Sequence, residues 1–393
     1  MPKLAQLTEV VSEPVTERKR IEDVGDEPFR ILVLGDFSAR NHRAVFEPGQ
    51  LGWRMPIPVG LETIESVMLR LAPSLSLLMP GMPRKRVDLP FAHFSDFLPH
   101  HIHERVEAQA PTGPDQAEAA VRYLIHHPDF QGLESVWRCL FFLLLYAGTG
   151  ADIRVSLLDV TKQELADDLC SAADICDSGF YRLLVGHSGM RAAHPWTMCV
   201  SDYSFSPHTI EDIETLTCAA KVARHAGVPF LGAVRHDWPG EPGLAWQLLR
   251  ESPEAAYLGL ATPRFLVRQP LQSSADDEFP FVEMPGEPAL EDYLWGNPAF
   301  VCAAVLVDAY RREGWRMETG EWAELEGFFK HEYVAHRENR CTLPVETEFA
   351  EQELTGLLDR GVIPLTAAQD GTVIRFPRLQ SVRKPSTPLR GRW

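Results

Sequence analysis

The segment 184–190 carries a serine between two glycines, an arrangement that resembles a hydrolase nucleophile elbow. A nucleophile elbow needs Gly-x-Ser-x-Gly, because its strained turn requires glycine two residues before and two residues after the serine. Gly186 stands two residues before Ser188, but Gly189 follows it immediately. The residues that follow show no amphipathic helix to supply an oxyanion hole. The pattern favours a loop with two glycines, and a hydrolase using Ser188 is kept as a remote alternative.

Several histidines are close enough in sequence to suggest a metal site. A zincin helix needs two histidines four residues apart, so that both imidazoles share one helical face. His331 and His336 are five apart, which turns the second ring away. No pattern of Cys, Asp or Glu ligands accompanies the remaining clusters, which are His100-His-Ile-His103 and His126-His127. We therefore predict no metal site and assign no catalytic residue.

An apolar run from Phe29 ends in Gly35-Asp36, a place where phosphate-binding loops often begin. It has neither the Lys-Ser/Thr of a P-loop nor a Gly-x-Gly-x-x-Gly pattern. Asp36 is expected to accept local backbone hydrogen bonds in a tight turn. No cofactor is predicted.

The surrounding elements alternate between strands and helices. In the first part we predict a strand at 29–35, a loop at 41–60, a helix at 61–71, a strand at 87–89, and a helix capped by Ser95 that runs to His103. In the second part we predict helices at 115–126, 133–146, 209–226, 293–312 and 345–360, and a further helix that begins at Thr161, where Thr161 and Glu164 form a capping box. The strands between them are at 153–158, 197–200, 228–234, 362–365 and 372–376. This alternation predicts an α/β (α+β) fold with mixed sheets.

Composition narrows the class of protein. With 393 residues and 45% hydrophobic content, the chain can form two packed domains or one large one. It has no apolar stretch of 18 residues and no apolar signal core at its start, which predicts a cytoplasmic protein without membrane insertion. The net charge of −17 argues against nucleic acid as a partner. The seven cysteines form no CxxC pair, which favours buried reduced thiols.

The charge is unevenly distributed. Asp276 to Asp292 holds seven acids and no base, whereas six bases and no acid follow Asp370. The two segments could pair between copies of the chain, or each could be solvated on its own. If the terminal segments connect neighbouring copies, deleting 1–28 or 377–393 should abolish self-association and leave the fold intact.

Ordered sequence blocks resemble the sheath proteins of bacterial type VI secretion systems. The run Phe29-Arg-Ile-Leu-Val-Leu-Gly-Asp-Phe-Ser-Ala-Arg40 resembles the opening of the small sheath subunit, TssB or VipA. Residues 57–75, with Leu-Ala-Pro-Ser-Leu at their end, and residues 87–99, with Ser-Asp-Phe-Leu-Pro, are similar to later parts of the same subunit.

Further blocks resemble the large sheath subunit, TssC or VipB. Leu124-Ile-His-His-Pro-Asp-Phe-Gln-Gly-Leu-Glu-Ser-Val-Trp-Arg138 carries the most specific likeness. It is followed by Val200-Ser-Asp-Tyr-Ser-Phe205 and by the blocks at 256–268, 293–300 and 380–385. Ser201 replaces a family glycine.

The resemblance implies a contractile-tail-sheath-like architecture in two parts. It divides the chain into a flexible arm (1–28), a small-subunit-like region (29–107), a linker (108–114), a truncated large-subunit-like region (115–385) and a basic tail (386–393). The expected partners are copies of the chain, other type VI sheath subunits, and inner tube or baseplate proteins. The family's large subunit has an N-terminal region for the ATPase ClpV, and this chain lacks its counterpart, which counts against a ClpV-type ATPase as a partner.

Two functions remain open. The chain is either a fused structural building block of a contractile sheath or a non-polymerising accessory protein, such as a cap or assembly factor. In both cases we expect mechanical or binding work and no enzyme activity.

Overall fold

The computed structural model describes residues 27–111, 113–186, 195–235, 240–272, 279–320, 322–335, 338–368 and 371–393. The predicted arm, residues 1–28, falls almost wholly outside these ranges. The helices are α1 (Ile64–Leu71), α2 (Pro99–Gln109), α3 (Pro114–Ile125), α4 (Pro128–Ala147), α5 (Lys162–Ser171), α6 (Gly179–Val185), α7 (Ile210–Ala226), α8 (Leu244–Glu251), α9 (Pro298–Glu313) and α10 (Glu351–Asp359).

The strands are β1 (Phe29–Gly35), β2 (Ile57–Val59), β3 (Ser74–Met79), β4 (Met82–Pro90), β5 (Ile153–Asp159), β6 (Met198–Phe205), β7 (Phe230–Val234), β8 (Leu258–Thr262), β9 (Phe265–Leu266), β10 (Trp295–Gly296), β11 (Ala323–Glu326), β12 (His331–Ala335), β13 (Glu338–Thr342), β14 (Val362–Pro364), β15 (Thr366–Ala367) and β16 (Val373–Phe376). The mixture of helices and sheets confirms the predicted fold class. Among the described residues, no helix combines the length and apolar character needed to cross a bilayer.

A seven-stranded sheet forms the centre of the molecule, in the order β14-β8-β7-β6-β1-β5-β2. Its strands are parallel except for β2, which is antiparallel to β5. In the registers of β1, Phe29 lies opposite Ile153 and Ile31 lies opposite Met198. The small-subunit-like region thus contributes β1 between two strands of the large-subunit-like region.

Both faces of β1 are covered, which explains its continuous apolar sequence. Ile31 and Val33 belong to the core that includes α4 and α9. Leu32 and Leu34 belong to the core on the opposite face, with α5, α6 and α7. All four side chains have 0% exposure, so the predicted buried strand is confirmed.

Helix α9 begins five residues later than predicted. Trp295 and Gly296 form β10 and pair with β9, which keeps them out of the helix. Asn297 then caps α9, because its side chain accepts a hydrogen bond from the N–H of Ala299 at 2.9 Å. Pro298 occupies the first helical turn, where its missing N–H costs nothing.

Two predictions for the first part were wrong. The loop at 41–60 contains the edge strand β2. The strand at 87–89 is confirmed as part of the longer β4, which pairs with the unpredicted β3. Ser95 caps no helix, because it lies in a 3₁₀ turn at 94–97, and α2 begins only at Pro99. Proline favours the first position of a helix, so the helix starts there.

In the second part, the predicted helix at 209–226 and the strand at 153–158 are confirmed by α7 and β5. The predicted helix at 345–360 is too long, since Val345 pairs with Phe265 in an isolated bridge and α10 spans only Glu351–Asp359. Helices α6 and α8 and strand β8 were missed.

The cysteines and the basic tail also differ from expectation. Cys139, Cys199 and Cys302 are buried, as predicted, but three other thiols are exposed: Cys170, Cys176 and Cys341. The last segment packs into the fold, because its apolar side chains have 0–2% exposure: Leu379, Val382 and Leu389. Deleting 377–393 would therefore damage the fold, contrary to our expectation.

Candidate functional site at the junction of the two regions

The junction is built at the edge of the sheet where three adjacent parallel strands end. Asp36 follows β1, Asp159 is the last residue of β5, and Asp202 lies near the end of β6. Because the carboxyl ends of parallel strands meet at one edge, acidic groups from both regions come together there. A Cβ added to Gly35 would lie 2.9 Å from Cγ2 of Val136 and 3.4 Å from Cβ of Asp202, so a larger residue would collide with the side chain of Val136.

Two of these carboxylates are held by the turn after β1. Ser38 donates to Asp159 twice, from its N–H at 3.0 Å and from its hydroxyl at 2.7 Å. Asp36 accepts from the N–H groups of Arg40 and Asn41, at 2.5 and 2.9 Å. Burial raises the pKa of both aspartates, and these hydrogen bonds act in the opposite direction. The predicted local role of Asp36 is confirmed.

Asp202 has the most perturbed pKa of the three. Burial, with a smaller contribution from the charge of Asp36, raises its pKa to about 8. No described residue donates a hydrogen bond to its carboxylate, whereas Asp36 and Asp159 each accept two. The junction therefore contains a carboxyl group that is largely protonated at neutral pH.

A buried ion cluster connects the same turn with α5. Arg40 donates to Glu164 from Nε at 3.0 Å and from Nη2 at 2.8 Å. Arg54 donates to the same carboxylate from both Nη atoms, and Glu47 accepts from both arginines. Burial raises the pKa of Glu164, but the hydrogen bonds from Arg54 and Arg40 outweigh it and lower the pKa to about 2. The carboxylate is thus held ionised, with only 3% of its side chain exposed.

Glu164 also caps its own helix. Its side chain accepts from the N–H of Thr161 at 3.0 Å, and Thr161 Oγ1 accepts from the N–H of Glu164 at 3.0 Å. This reciprocal pair confirms the capping box predicted from the sequence. One side chain therefore both starts α5 and binds the small-subunit-like region.

An aromatic contact with α4 also holds the turn that follows β1. Trp137 donates from Nε1 to the carbonyl oxygen of Phe37 at 2.9 Å, and the two ring centroids are 5.2 Å apart in an edge-to-face arrangement. Both side chains have 0% exposure. The turn Gly35-Asp-Phe-Ser38 thus contacts α4 directly, within the block 124–138 that resembles the large sheath subunit.

A second buried ion cluster lies within the large-subunit-like region. Arg268 donates to Glu134 at 2.8 and 3.1 Å and to Glu283 at 2.7 and 3.1 Å. Arg138 shares Glu134 through a single bond from Nε at 2.6 Å. Burial lowers the pKa of Arg268, but the two carboxylates outweigh it and raise the pKa overall. Glu283 belongs to the acidic segment from Asp276 to Asp292. At least one charge of that segment is therefore buried and serves the structure of the interior.

The sequence-predicted chemical candidates do not converge. Ser188 and His336 lie outside the described residues. His331 is on the strand β12, where its ring lies 2.9 Å from the hydroxyl of Tyr293. His127 caps α4, and His103 stacks on Phe279. Within the described residues, no three His, Cys, Asp or Glu side chains are grouped so as to hold a metal ion.

The charged groups of the junction instead bind one another and hold the two regions in register. Sequence reasoning missed the ion partners of Glu164 and Glu134. One signal was present, namely single charges within apolar runs, such as Arg268 after Phe-Leu-Val and Glu134 before Ser-Val-Trp. Such charges are usually paired when they are buried.

Comparisons with known proteins show the family of the chain. Residues 115–241 and 239–383 match the family model described as EvpB/VC_A0108, tail sheath N-terminal domain. The chain therefore belongs to the tail sheath family of type VI secretion systems. More particularly, residues 15–110 match a second model, described as Type VI secretion system, VipA, VC_A0107 or Hcp2, so one chain carries matches to both sheath subunits.

One relative is the type VI secretion system sheath protein TssC1 of Pseudomonas aeruginosa strain PAO1, which is 28% identical over 300 residues. The match covers 68% of this chain and 59% of that protein, so the chain spans less than two thirds of its relative's length. Among solved structures, the contracted helical sheath of the anti-feeding prophage has a TM-score of 0.39 at 12% identity, covering 97% of this chain and 69% of that one. The baseplate of the same particle has a TM-score of 0.32 at 11% identity, covering 95% and 69%.

Proposed function

We propose that the chain is a fused small- and large-subunit building block of a contractile sheath, which works mechanically in the cytoplasm. The observation that supports this most directly is β1, which the small-subunit-like region places in the middle of a sheet otherwise made largely by the other region. Fusion makes this pairing intramolecular and therefore raises its effective concentration. The proposed partners are further copies of the chain or other sheath and baseplate subunits.

Assembly requires an open surface, and the ends of the central sheet are poorly suited to strand addition. Both end strands, β2 and β14, have three residues, and each contains a proline, Pro58 or Pro364. Proline lacks the N–H that a partner strand would need, and short edge strands with proline are a common protection against edge pairing.

The β3–β4 hairpin is better suited. Among the described strands, β3 and β4 pair only with each other. Near the base of the hairpin, side chains already occupy the outer edges. Ser76 donates its N–H to His42 at 2.9 Å, and Asp88 exchanges two 2.9 Å hydrogen bonds with Gln109. These contacts stand where a neighbouring strand would otherwise bind.

The distal part of the hairpin remains available. Arg86 is two residues from Asp88 on the same strand, so its N–H points to the same outer edge as that of Asp88. Leu78 and Met82 are 43% and 37% exposed, and Arg84 and Lys85 are exposed beside them. Since the chain carries a net charge of −17, this basic apolar tip is complementary to the acidic surface of a second copy.

The proposal is tested by negative-stain microscopy and sedimentation velocity of the purified chain, alone and mixed with an ordinary two-subunit type VI sheath. Tubes or rings formed by the chain alone support the building block. Monodisperse particles that cosediment with the sheath support the accessory protein instead. Monodisperse particles that do not cosediment with the sheath would refute both functions.

A matched pair of variants tests the hairpin. Arg86→Pro removes the outward N–H together with the side chain, whereas Arg86→Ala removes only the side chain and its two hydrogen bonds to Ser76. We expect Arg86→Pro to lose association and Arg86→Ala to keep most of it. Equal association of the two variants would exclude strand addition at this edge.

A further inference from the structure

Two neighbouring helices on one face of the central sheet each carry a cysteine at a corresponding position. Helices α5 and α7 follow the parallel strands β5 and β6, so both return across the sheet in the same direction. Their apolar sides share one core, to which Leu165 and Leu216 belong. Near their starts the helices are joined by an ion pair, in which Nζ of Lys162 lies 2.5 Å from Oδ1 of Asp212. This ion pair fixes the register of one helix against the other.

The register brings Cys170 next to Cys218. Cys170 stands eight residues after Lys162, and Cys218 stands six residues after Asp212. Because a helix rises about 1.5 Å per residue, the two cysteines lie about 12 Å and about 9 Å along their helices from the ion pair. The thiol of Cys170 accordingly contacts the thiol of Cys218 as a hydrogen-bond partner. Both are free thiols in the structure.

The two thiols differ in their access to solvent. Cys170 is exposed, whereas Cys218 is half-buried against the core beneath the helices. Burial, together with the neighbouring thiol of Cys218, raises the pKa of Cys170 to about 11. A reagent that arrives from solvent therefore meets Cys170 first, and Cys218 lies directly behind it.

The other exposed thiol nearby has a different partner. Cys176 lies in the turn between α5 and α6, where its thiol forms a hydrogen bond with the hydroxyl of Tyr181. The backbone N–H of Cys176 also donates to Asp174 at 2.9 Å. These contacts hold Cys176 toward α6, which leaves Cys218 as the partner of Cys170.

We propose that Cys170 and Cys218 form a reversible disulfide when the chain meets an oxidising low-molecular-weight disulfide such as oxidised glutathione. In the first step the thiolate of Cys170 attacks the glutathione disulfide, which forms a mixed disulfide and releases one glutathione thiolate. In the second step the thiolate of Cys218 attacks the sulfur of Cys170 and releases the second glutathione. The two protein thiols lose two electrons and two protons, and oxidised glutathione takes them up as two molecules of reduced glutathione.

The crosslink joins the last turn of α5 to the middle of α7. The first turn of α5 carries Glu164, which binds Arg40 and Arg54 at the junction of the two regions. A disulfide closes a long loop in the unfolded chain and thereby favours the folded chain. Oxidation therefore holds in place the helix to which the small-subunit-like region is bound.

Equilibration of the full chain with mixtures of reduced and oxidised glutathione tests the pair. After acid quenching, alkylation and proteolysis, mass spectrometry identifies the linked cysteines. We expect a link between Cys170 and Cys218, with an equilibrium constant that is about tenfold or more higher in the folded chain than in urea, because folding holds the two thiols together. An equal or lower constant in the folded chain would overturn the proposal, and so would a link from Cys170 to Cys176.

Variants separate the two chemical steps. Cys170→Ser should abolish the crosslink. Cys218→Ser should leave glutathione attached to Cys170, since the thiol that displaces it is gone. Cys341→Ser, at an exposed thiol on β13, is the matched control and should keep the crosslink. Release of glutathione from Cys170 in folded Cys218→Ser would show that another thiol displaces it, which would refute the pair.

A stability measurement keeps the test valid if Cys218→Ser does not fold. By the thermodynamic cycle, the factor by which folding favours the crosslink equals the factor by which the crosslink favours folding. The urea midpoint of the original chain should therefore rise on oxidation and return on adding dithiothreitol, whereas that of Cys170→Ser should not respond. A midpoint that stays unchanged or falls in fully crosslinked chain would contradict the close approach of the two thiols.

Discussion

Replacing Asp202 with asparagine should change how the stability of the chain depends on pH. The folded protein raises the pKa of Asp202 from the ordinary value of 3.8 to about 8. Between these two values the unfolded chain has lost the proton and the folded chain keeps it. Stability from this group is therefore fully present below pH 3.8 and is lost as the pH rises toward 8.

The size of this loss of stability follows from the interval between the two pKa values. Each pH unit within it costs up to about 1.4 kcal/mol, so the loss between pH 6 and pH 8 reaches about 2 kcal/mol. Because Asp202 is partly exposed, solvent screening reduces this, and we expect about 1 kcal/mol. Asparagine has the same shape and no titration. Asp202→Asn should therefore be more stable than the original chain, and this difference should be about 1 kcal/mol larger at pH 8 than at pH 6.

Urea unfolding followed by tryptophan fluorescence at pH 6, 7, 8 and 9 measures this difference. Asp88→Asn, at an exposed residue of the β3–β4 hairpin, serves as the control substitution. If the stability gap between the original chain and Asp202→Asn is the same at pH 6 and pH 8, the reasoning about a protonated carboxyl at the junction is wrong.

Three further changes test the junction and the tail. Glu164→Gln leaves two half-buried arginines, Arg40 and Arg54, without their common carboxylate and should lower the free energy of unfolding by about 2–3 kcal/mol in urea, whereas a change below 0.5 kcal/mol would contradict the cluster's role. Gly35→Ala places a methyl group 2.9 Å from Val136 and should cost about 1–3 kcal/mol by the same measurement, with Gly286→Ala, in open space, as a neutral control. Deleting 377–393 removes three buried apolar side chains, Leu379, Val382 and Leu389, and should cost about 5 kcal/mol, seen as a lower thermal midpoint; an unchanged midpoint would show that the segment is dispensable.

The elements that sequence reasoning located well are those with a local cause. The strand at Phe29–Gly35 is a continuous apolar run ended by glycine and aspartate. The capping box of Thr161 and Glu164 needs only residues three positions apart, and α7 is marked at its end by Gly227 in the left-handed conformation. In each case the deciding contacts lie within one turn or one strand.

Errors occurred where distant residues compete for a segment. Trp295 and Gly296 were predicted to be helical because the residues that follow them are, but pairing with β9 holds them extended. Val345 was likewise included in a helix, although it bridges to Phe265. Short strands such as β2 carry too few residues to show any periodicity, so only their partner strand reveals them.

The sequence by itself determined the family, through ordered blocks of residues, and the local elements, through patterns that operate over a few positions. Only the tertiary structure decided that β1 lies between β5 and β6, and which charges pair. Arg40 and Glu164 are 124 positions apart, and Arg268 and Glu134 are 134 apart. Ion pairing depends on distance in space and on burial, and neither quantity can be read from separation along the chain.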